Sequence, residues 1–558
     1  MSKKRPHVVP EGVLRIIPLG GVGEIGKNMT ALEYGQDIIV VDMGSTFPND
    51  DMPGVDLVIP NTSYLEENAD RVRGYFVTHG HEDHIGAAPY VLKKVNASVY
   101  ATRLTCALIN SKLKEHHMSN DVELNEVEPG DVIVTGVFAI EFIKVSHSIA
   151  GACALAIHTP VGVIVHSGDF KVDYTPIDGQ MTNLNRLAEL GSEGVRLLMC
   201  ESTNIERPGY TISERKVGET FTQLFARAQG RIMVAMFASN VHRIQMVIDA
   251  ACAYGRHVCI VGRGMSTVCK LSSALGYLTI PEGTLVNVEE LDRFRDEELV
   301  ILTTGSQGEQ MSGLSRIAFS EHKKLEVRSS DMIIISSTPI PGNEKSVSKV
   351  INQLVLSGAE VIYDALAEVH VSGHARQEEI KLMHALTKPE CFIPVHGEYK
   401  HLYYHARLAK ELGEKEENII IPKIGTVIEL KADSIHTGEE VDSGEVLIDG
   451  LGIGDVGESV LRDRVRLSED GMIIVVLSFD HDDGTLISGP DIITRGFVYA
   501  KDNEELLDGI RAVIDKLLDT RMYEFNSTSA LKEAIRETVK KYLNDTIRRD
   551  PMIITIVS

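Results

Sequence analysis

Several features are absent from this chain of 558 residues, and each absence excludes a class of protein. No stretch approaches the ~18 uninterrupted apolar residues that a membrane span needs. The basic N-terminus lacks the apolar run of a secretory signal. The seven cysteines are odd in number and include no Cys-x-x-Cys pair, so neither a disulfide framework nor a thiolate zinc knuckle is indicated. Tryptophan is also absent. We expect a cytoplasmic protein without a membrane partner.

The charge balance excludes one way of binding nucleic acid. The formal net charge is −24, from 56 Lys and Arg against 80 Asp and Glu. Such a chain does not coat nucleic acid by bulk electrostatic attraction, although a metal site with a few local donors can still hold phosphates. Hydrophobic residues make up 43% and charged residues 24%, which are ordinary globular values. At ~150 residues per domain, the length predicts about three or four folding units.

The order of apolar runs predicts how these units follow one another. The N-terminal part is β-rich, and from about residue 206 strands alternate with helices, as in an open, mostly parallel sheet covered by helices. Short strands with histidine-bearing turns then return, and the C-terminus combines strands with amphipathic helices. The predicted units are a β-rich domain at 1–205 and 366–450, an inserted α/β domain at 206–365, a linker at 451–465 and a C-terminal α/β domain at 466–558.

A glycine-rich turn at residues 21–26 is similar to a dinucleotide-binding fingerprint. Its sequence, GVGEIG, follows a strand-like run, and Asp42 lies sixteen residues beyond Gly26. A dinucleotide site needs a helix of about three turns after the glycines. Here the next apolar run, MTALEY, has strand character. We therefore interpret the glycines as a tight turn that lets the backbone pass close to a neighbouring segment.

The most informative motif is THGHEDHIG, which begins at Thr78. It places four potential ligands within six residues at the end of a predicted strand: His79, His81, Asp83 and His84. Neutral imidazoles and carboxylates are ordinary zinc ligands. The first two histidines can reach one ion, and Asp83 and His84 can then turn toward a second. Because only 20 of the 558 residues are histidine, a chance cluster is improbable, and the motif predicts a two-metal site.

Further ligands follow later predicted strands. His147, Asp169 and His396 each come directly after an apolar run. One such residue is weak evidence, but together they supply the ligands that the first motif lacks. Asp169 can bridge both ions with its two oxygens. Asp42, at the end of another strand, can orient a ligand histidine from behind.

The pattern H-x-H-x-D-H, followed by further ligands in this order, resembles the metallo-β-lactamase fold. The resemblance implies a four-layer αβ/βα sandwich with a dinuclear zinc site between its two sheets. It also implies a ligand set for each ion: His79, His81 and His147 for the first, and Asp83, His84 and a late histidine for the second, with Asp169 as the bridge.

The insertion after Glu201 resembles the β-CASP domain, which marks the nucleic-acid-processing branch of this superfamily. Glu201 in CEST, His374 in HVSGHA and His396 in PVHGE match three motifs of that branch. Over nearly the whole chain, the resemblance is to the bacterial ribonuclease J family. It is carried by GEIGKN, THGHEDHIG, HSGDFK, FASNVHR, TGSQGE, SSTPIPGN, GPDIITRGFVY and RRDPMI. That family commonly reads Asp-Ser-Thr-Asn where this chain has Glu-Ser-Thr-Asn, which leaves the role of Glu201 open.

The resemblance implies a dinuclear zinc ribonuclease, with Mn²⁺ or Mg²⁺ as alternatives in activity. It implies 5′-to-3′ exonuclease activity that favours 5′-monophosphate ends, together with endonuclease activity, in mRNA decay and rRNA maturation. The catalytic residues would be His374, which contacts the scissile phosphate, with Asp83 and Glu201. A phosphate pocket would be lined by Ser239, Asn240 and Val241 at a strand-to-helix turn, and by His370, Val371, Ser372, Gly373 and His374. An ordinary helix cap is the alternative at the first of these segments.

Two further expectations concern an ion and partner proteins. The acidic loop at 50–56 and the resemblance imply a structural Ca²⁺ held by Pro53, Val55 and Asp449, since hard oxygen ligands suit that ion. An acidic surface turn is the alternative. The C-terminal helices and strands predict a homodimer or a homotetramer. Other RNA-decay or ribosome-associated proteins are expected as partners.

Three other functions stay open at this point. They are a DNA nuclease of the same branch, a small-substrate hydrolase such as a lactamase or thioesterase, and a non-catalytic RNA-binding scaffold. The similarity to the ribonuclease J family weighs against the first. The inserted domain, which would roof an extended channel, weighs against the second, and the complete ligand set weighs against the third.

Overall fold

The described part of the chain forms two compact units. A computed structural model describes residues 12–49, 51–309, 311–340, 342–480, 485–498, 503–521, 525 and 527–558. One unit contains Met1–Thr46 and Ile59–Val446, and the other contains Phe47–Val58 and Leu447–Ser558. Among the described residues, no helix combines the length and the apolar character that crossing a membrane requires.

Two large sheets lie in the first unit. The eight-stranded sheet has the order Ile435–Glu440, Thr426–Leu430, Leu14–Gly20, Met29–Tyr34, Asp37–Val41, Val72–Phe76, Val99–Thr102 and Leu124–Val127. The six-stranded sheet has the order Cys391–Val395, Val195–Glu201, Gly162–His166, Cys153–Thr159, Phe138–Lys144 and Val132–Thr135. A short parallel pair joins Val22–Gly23 to Gly397–Glu398.

The two sheets pack face to face on one apolar core. Leu14, Ile16 and Leu32 of the larger sheet belong to the same fully buried cluster as Phe142 and Leu155 of the smaller sheet. A second cluster joins the outer face of the smaller sheet to helices Leu184–Glu193 and Gln377–Thr387. Inner strands such as Leu14–Gly20 are buried along their whole length, whereas the edge strands Val132–Thr135 and Ile435–Glu440 are largely exposed.

The inserted region forms a separate five-stranded sheet, and all four of its strand pairs are parallel. Its order is His257–Val261, Leu299–Thr303, Ile232–Ala235, Met332–Ile335 and Glu360–Ile362. Strands such as Met332–Ile335 (MIII) are wholly apolar and buried, which is typical of a parallel sheet covered by helices on both sides. This is the architecture expected from the alternation of strands and helices in the sequence.

The inserted sheet separates two strands that are neighbours in space. Val195–Glu201 and Cys391–Val395 run parallel, with Glu201 opposite Val395. Parallel neighbours need a long crossover connection, and here that connection contains the whole inserted sheet. The carboxyl ends of the two strands therefore lie side by side, where the chain leaves for the inserted region and where it returns.

Helices account for most of the remaining regular structure. In chain order they are Ser63–Glu67, Glu82–Ile85, Ala88–Lys94, Arg103–Glu115, Leu184–Glu193, Arg215–Arg227, Val241–Ala253, Arg263–Ala274, Gly313–Ala318, Glu344–Leu356, Gln377–Thr387, Tyr399–Glu411, Glu458–Asp470, Glu504–Arg521 and Thr528–Ile547. A small three-stranded sheet has the order Gly452–Ile453, Glu445–Asp449 and Leu57–Pro60.

The second unit carries a three-stranded sheet of its own, in the order Leu486–Arg495, Met472–Phe479 and Met552–Val557. One face of that sheet packs on the two long C-terminal helices, through residues such as Ile473 and Val475. The segment predicted as a linker at 451–465 is partly regular, because helix Glu458–Asp470 begins within it. No residue of that helix is buried, although Leu461 packs against a small apolar cluster.

Candidate metal centre

The predicted ligands converge because they follow strands whose carboxyl ends lie together. Asp42 and Thr78 follow two adjacent parallel strands of the larger sheet. Asp169, Glu201 and His396 lie at the ends of three neighbouring parallel strands of the smaller sheet. Functional side chains collect at the carboxyl ends of parallel strands, since the connecting loops leave the sheet there.

Three histidines form the first candidate ligand group. His79, His81 and His147 present ring nitrogens that all lie within 4.8 Å of one another. The His81 Nδ1 atom is 3.0 Å from His79 Nε2 and 3.1 Å from His147 Nε2. Burial lowers the pKa of all three rings, that of His81 to about 4. They are therefore neutral near pH 7, which is the form that binds metal ions.

Four residues form the second group, namely Asp83, His84, Asp169 and His396. Asp83 Oδ2 lies 3.1 Å from His396 Nε2 and 3.5 Å from His84 Nε2. Burial opposes ionisation of Asp83, yet His84 and His396 outweigh it and hold the pKa of that carboxyl well below its usual value. The group therefore offers two imidazoles and two ionised carboxylates, a donor set suited to zinc and manganese.

Asp169 stands between the two groups and tests whether the site fits a cation. Its Oδ2 atom lies 3.2 Å from His84 Nε2, 3.6 Å from His79 Nε2 and 3.8 Å from His147 Nε2. This oxygen is buried without a hydrogen-bond donor among the described residues. Burial opposes protonation of His84, but Asp169 and neighbouring carboxylates raise the pKa of that ring well above its usual value. The surroundings thus favour positive charge beside Asp169, as two divalent ions would supply.

Residues behind the ligands fix their orientation. Asp42 Oδ2 accepts a hydrogen bond from His84 Nδ1 at 2.7 Å, as we expected of a residue that orients a ligand. The His147 Nδ1 atom donates to the Gly373 carbonyl at 2.8 Å, which leaves Nε2 free to face His81. A Cβ on Gly373 would lie 2.6 Å from the His147 ring, so the close approach requires glycine.

Asn28 is a site residue that sequence analysis missed. Its side-chain amide donates to the Asp83 carbonyl and lies 3.1 Å from His84 Nε2. The glycine-rich turn before it packs against the same centre, because the His396 amide donates to the Gly21 carbonyl. Strand Met29–Tyr34 follows directly, so the turn has no dinucleotide-binding helix. In the sequence, the asparagine of GEIGKN is the one feature that could have indicated its contact with the ligand residues.

Glu201 and His374 form a hydrogen-bonded pair at the edge of the centre. Glu201 Oε2 lies 2.8 Å from His374 Nδ1, and its Oε1 accepts from the Phe170 amide. Burial would lower the pKa of His374, but Glu201 and Asp169 outweigh burial and raise the pKa to about 9. A protonated ring can donate a hydrogen bond to a phosphate and stabilise its charge. Glu201 thus orients His374. Its side chain is one methylene longer than the Asp common in the family at this position, and it still makes this contact.

The two segments of the predicted phosphate pocket are joined by Arg243. This buried guanidinium lies 2.9 Å from His370 Nδ1 and donates to the Val371 carbonyl. Asn240 caps helix Val241–Ala253 by accepting from the Arg243 amide, while Ser239 precedes the cap. Ser372 Oγ accepts from the Asn204 amide and from the His374 amide. The segments are therefore neighbours, but Asn240 also performs the ordinary capping role.

The residues predicted to hold a structural Ca²⁺ bind a side chain instead. Arg464 Nη1 donates to the Pro53 carbonyl at 3.1 Å, and Nη2 pairs with Asp449 Oδ2 at 2.5 Å. The Val55 amide donates to the Met52 carbonyl, and Asp50 lies outside the described residues. A guanidinium already supplies positive charge to two of the three proposed ligands. The donor set present does not fit a calcium site, and sequence analysis missed Arg464.

Four family models match successive parts of the chain. They are the metallo-β-lactamase superfamily at 22–177, the ribonuclease J β-CASP domain at 229–354, the Zn-dependent metallo-hydrolase RNA specificity domain at 359–422 and the ribonuclease J C-terminal domain at 459–558. The predicted fold class, a metallo-β-lactamase sandwich with an inserted β-CASP domain and a C-terminal domain, is confirmed.

Relatives match nearly the whole length of the chain. Ribonuclease J2 of Bacillus subtilis is 42% identical and aligns over 100% of both chains. Ribonuclease J of Thermus thermophilus is 41% identical over 98% of this chain and 96% of its own. A crystal structure of a protein of unknown function from Enterococcus faecalis superposes with a TM-score of 0.51 at 18% identity. It covers 75% of this chain and 100% of its own, and it shows the fold alone.

Proposed function

Because the chain belongs to the ribonuclease J family and is a metal-dependent ribonuclease, we propose that it uses two zinc ions to hydrolyse RNA phosphodiester bonds. We propose two modes of attack, a 5′-to-3′ exonuclease mode that favours 5′-monophosphate ends and an endonuclease mode. The matched RNA specificity domain supports RNA over DNA as the substrate. Decay of mRNA and maturation of rRNA in the cytoplasm, with other RNA-processing proteins, are the proposed setting.

The observation that carries the proposal is the pair of ligand groups that meet at Asp169. His79, His81 and His147 would hold one ion, and the Asp83 group would hold the other. Two ions bound there supply positive charge to a phosphoryl group and acidify an attacking water. A scaffold that had lost catalysis would have no reason to keep seven ligands together with the histidines' orienting partners.

The side chains around the centre have distinct tasks in this proposal. The raised pKa of His374 favours its protonated form, so this ring, only 22% exposed, can donate a hydrogen bond to the scissile phosphate. Glu201 holds that ring by its Nδ1 atom. Arg243 keeps His370 and Val371 beside the start of helix Val241–Ala253, where a 5′-phosphate would bind.

A cleavage assay on matched substrates tests the proposed specificity. The substrates are one RNA sequence with 5′-monophosphate, 5′-triphosphate or 5′-hydroxyl ends, and a DNA of the same sequence. We expect the zinc-loaded protein to degrade the monophosphorylated RNA to mononucleotides about ten times faster than the triphosphorylated RNA, a difference of about 1.4 kcal/mol. Internal cuts should be independent of the 5′ end. Equal cleavage of RNA and DNA would refute the substrate, and equal rates at all three ends would refute the exonuclease preference.

We also propose that the second unit supports a homodimer or a homotetramer. In its three-stranded sheet, Ile474 is directly opposite Ile493 on one side and Ile554 on the other, so these residues share a face. Ile493, Ile554 and Ile556 are 44%, 39% and 45% exposed. The opposite face of the sheet is the one that packs on the C-terminal helices. An apolar sheet face open to solvent is typical of an interface.

Placing charge on this face should reduce the molecular mass of the assembly. We expect Ile554→Asp combined with Ile556→Asp to yield monomers or smaller oligomers in light scattering, because a carboxylate buried in an apolar interface is costly. Zinc content should not change. Lys541→Ala, on an exposed helix position, alters charge by one unit and serves as the control. An unchanged assembly mass in the double variant would show that another surface holds the subunits together.

A further inference from the structure

Behind the metal centre, three buried side chains and the partly buried Glu414 form a continuous hydrogen-bonded chain. Glu414 Oε1 lies 2.5 Å from His384 Nδ1, and His384 Nε2 lies 3.0 Å from His405 Nε2. His405 Nδ1 lies 2.9 Å from Ser202 Oγ. Ser202 and His405 are fully buried and His384 is 4% exposed, so these contacts are shielded from water. None of the four residues belongs to either ligand group.

The proton positions in this chain follow from its acceptor end. A carboxylate only accepts, so His384 Nδ1 must carry the proton that Glu414 receives. Burial lowers the pKa of His405, which is therefore neutral. Where His384 carries this one proton, His405 Nε2 donates to His384 Nε2, and His405 Nδ1 accepts from the Ser202 hydroxyl. Every bond runs in the same direction, from Ser202 toward Glu414. Such an arrangement fixes the Ser202 hydroxyl in one orientation.

Ser202 connects this hydrogen-bonded chain of side chains to a metal ligand. Its backbone amide donates to the His396 carbonyl at 3.2 Å. The next residue, Thr203, places its hydroxyl 3.0 Å from His396 Nδ1, and the preceding residue is Glu201, which binds His374. A shift of the turn at 201–203 would therefore move a ligand and the phosphate-binding pair together.

His396 needs this support because its backbone is strained. Its φ angle is 51°, in the left-handed region that side chains with a Cβ rarely adopt. Such a conformation persists only where the surroundings hold it. The Ser202 amide holds the His396 carbonyl, and the Gly21 carbonyl holds the His396 amide.

We propose that Glu414, His384 and His405 are positioning residues that act through Ser202 to hold His396 in the geometry for binding metal. The inference rests on the proposed two-metal function. A contribution to stability does not by itself explain the hydrogen bonds from Ser202 to Glu414, since Glu414 Oε2 is buried without a hydrogen-bond partner among the described residues. A buried carboxylate oxygen without a partner lowers stability, so positioning explains the pairing of Glu414 with His384 better than stabilisation does.

Zinc affinity and RNA turnover, measured on the full-length protein, test the proposal. The variants are Ser202→Ala, His405→Phe and the double variant, with zinc affinity taken from competition with a chromophoric chelator. We expect each single change to lower the affinity for one of the two zinc ions about tenfold and to leave the affinity for the other unchanged. Losses of residues that orient a ligand have effects of this size. The turnover number should fall about as much, with little change in KM. The double variant should be no worse than the weaker single variant, because both changes break one chain.

The controls separate positioning from loss of packing. Thr387→Val removes a buried hydroxyl from the same helix as His384, where it bonds only the local Met383 carbonyl, and should leave zinc affinity unchanged. If circular dichroism shows that His405→Phe does not fold, His384→Phe takes its place in the comparison of single and double variants. That change breaks the hydrogen-bonded chain one step further from Ser202. Effects that multiply in the double variant, or histidine variants with wild-type zinc affinity, would overturn the proposal. A wild-type protein that binds zinc but leaves RNA intact would instead refute the proposed function, whatever the zinc affinities show.

Discussion

Replacing Asp83 by alanine should remove one of two bound zinc ions and lower RNA cleavage by more than ~10²-fold. Asp83 Oδ2 faces the nitrogens of both His84 and His396, where a metal ion bound by this group would lie. Even the loss of an outer-shell partner costs about 10- to 100-fold in affinity or activity. Loss of a direct ligand should therefore exceed that range. Elemental analysis and single-turnover cleavage on one preparation measure both effects.

Glu82 provides a matched control in the same helical turn. It precedes Asp83, but its carboxylate points to the surface, where it pairs with Lys112 at 2.7 Å. Surface pairs of this kind contribute little, so Glu82→Ala should keep both zinc ions and turnover within about twofold. If Asp83→Ala retained two zinc ions and normal turnover, Asp83 would not be a ligand. If both variants lost zinc, the short helix rather than the carboxylate would be what the metal requires.

The candidate ligands could be predicted from sequence because they stand in the THGHEDHIG motif or soon after an apolar run. His79, Asp169 and His396 come at the ends of buried strands, and parallel strands bring their carboxyl ends together whatever their separation along the chain. The alternation of apolar strands with helices likewise predicted the parallel inserted sheet. In both cases the signal is local, a run of β-forming residues followed by a polar residue that can bind a metal.

Other parts of the site depend on pairings that no local pattern records. His384, His405 and Glu414 lie on two helices and a loop, and each one alone is indistinguishable from an ordinary core or surface residue. Arg464 was missed for the same reason, since its partners at Pro53 and Asp449 belong to distant segments. The acidic loop therefore predicts an ion where the Arg464 guanidinium lies. Long-range side-chain pairing becomes visible only when the fold is known.

His374 presents the sharper question, because the structure allows two roles for it. It belongs to a third group of potential ligands, with Asp169, Glu201 and His396, whose ligand atoms all lie within 4.8 Å of one another. It could therefore bind an ion. However, its Nδ1 atom is already engaged by Glu201 at 2.8 Å. The first two ligand groups are complete without it, which favours contact with the phosphate.

If His374 contacts the phosphate, His374→Ala should retain both zinc ions and bind RNA normally, while cleavage falls by ~10²-fold or more, the usual scale for one acid–base or charge-stabilising group. Glu201→Gln keeps a hydrogen bond to the ring but removes the charge that raises the pKa of His374, so its loss of activity should be smaller. Zinc content, RNA affinity and single-turnover cleavage are measured on the same preparations. Parallel loss of zinc and cleavage in His374→Ala would make His374 a ligand or a structural histidine. Near-normal cleavage would instead transfer the phosphate contact to Ser372 or to the turn at Ser239.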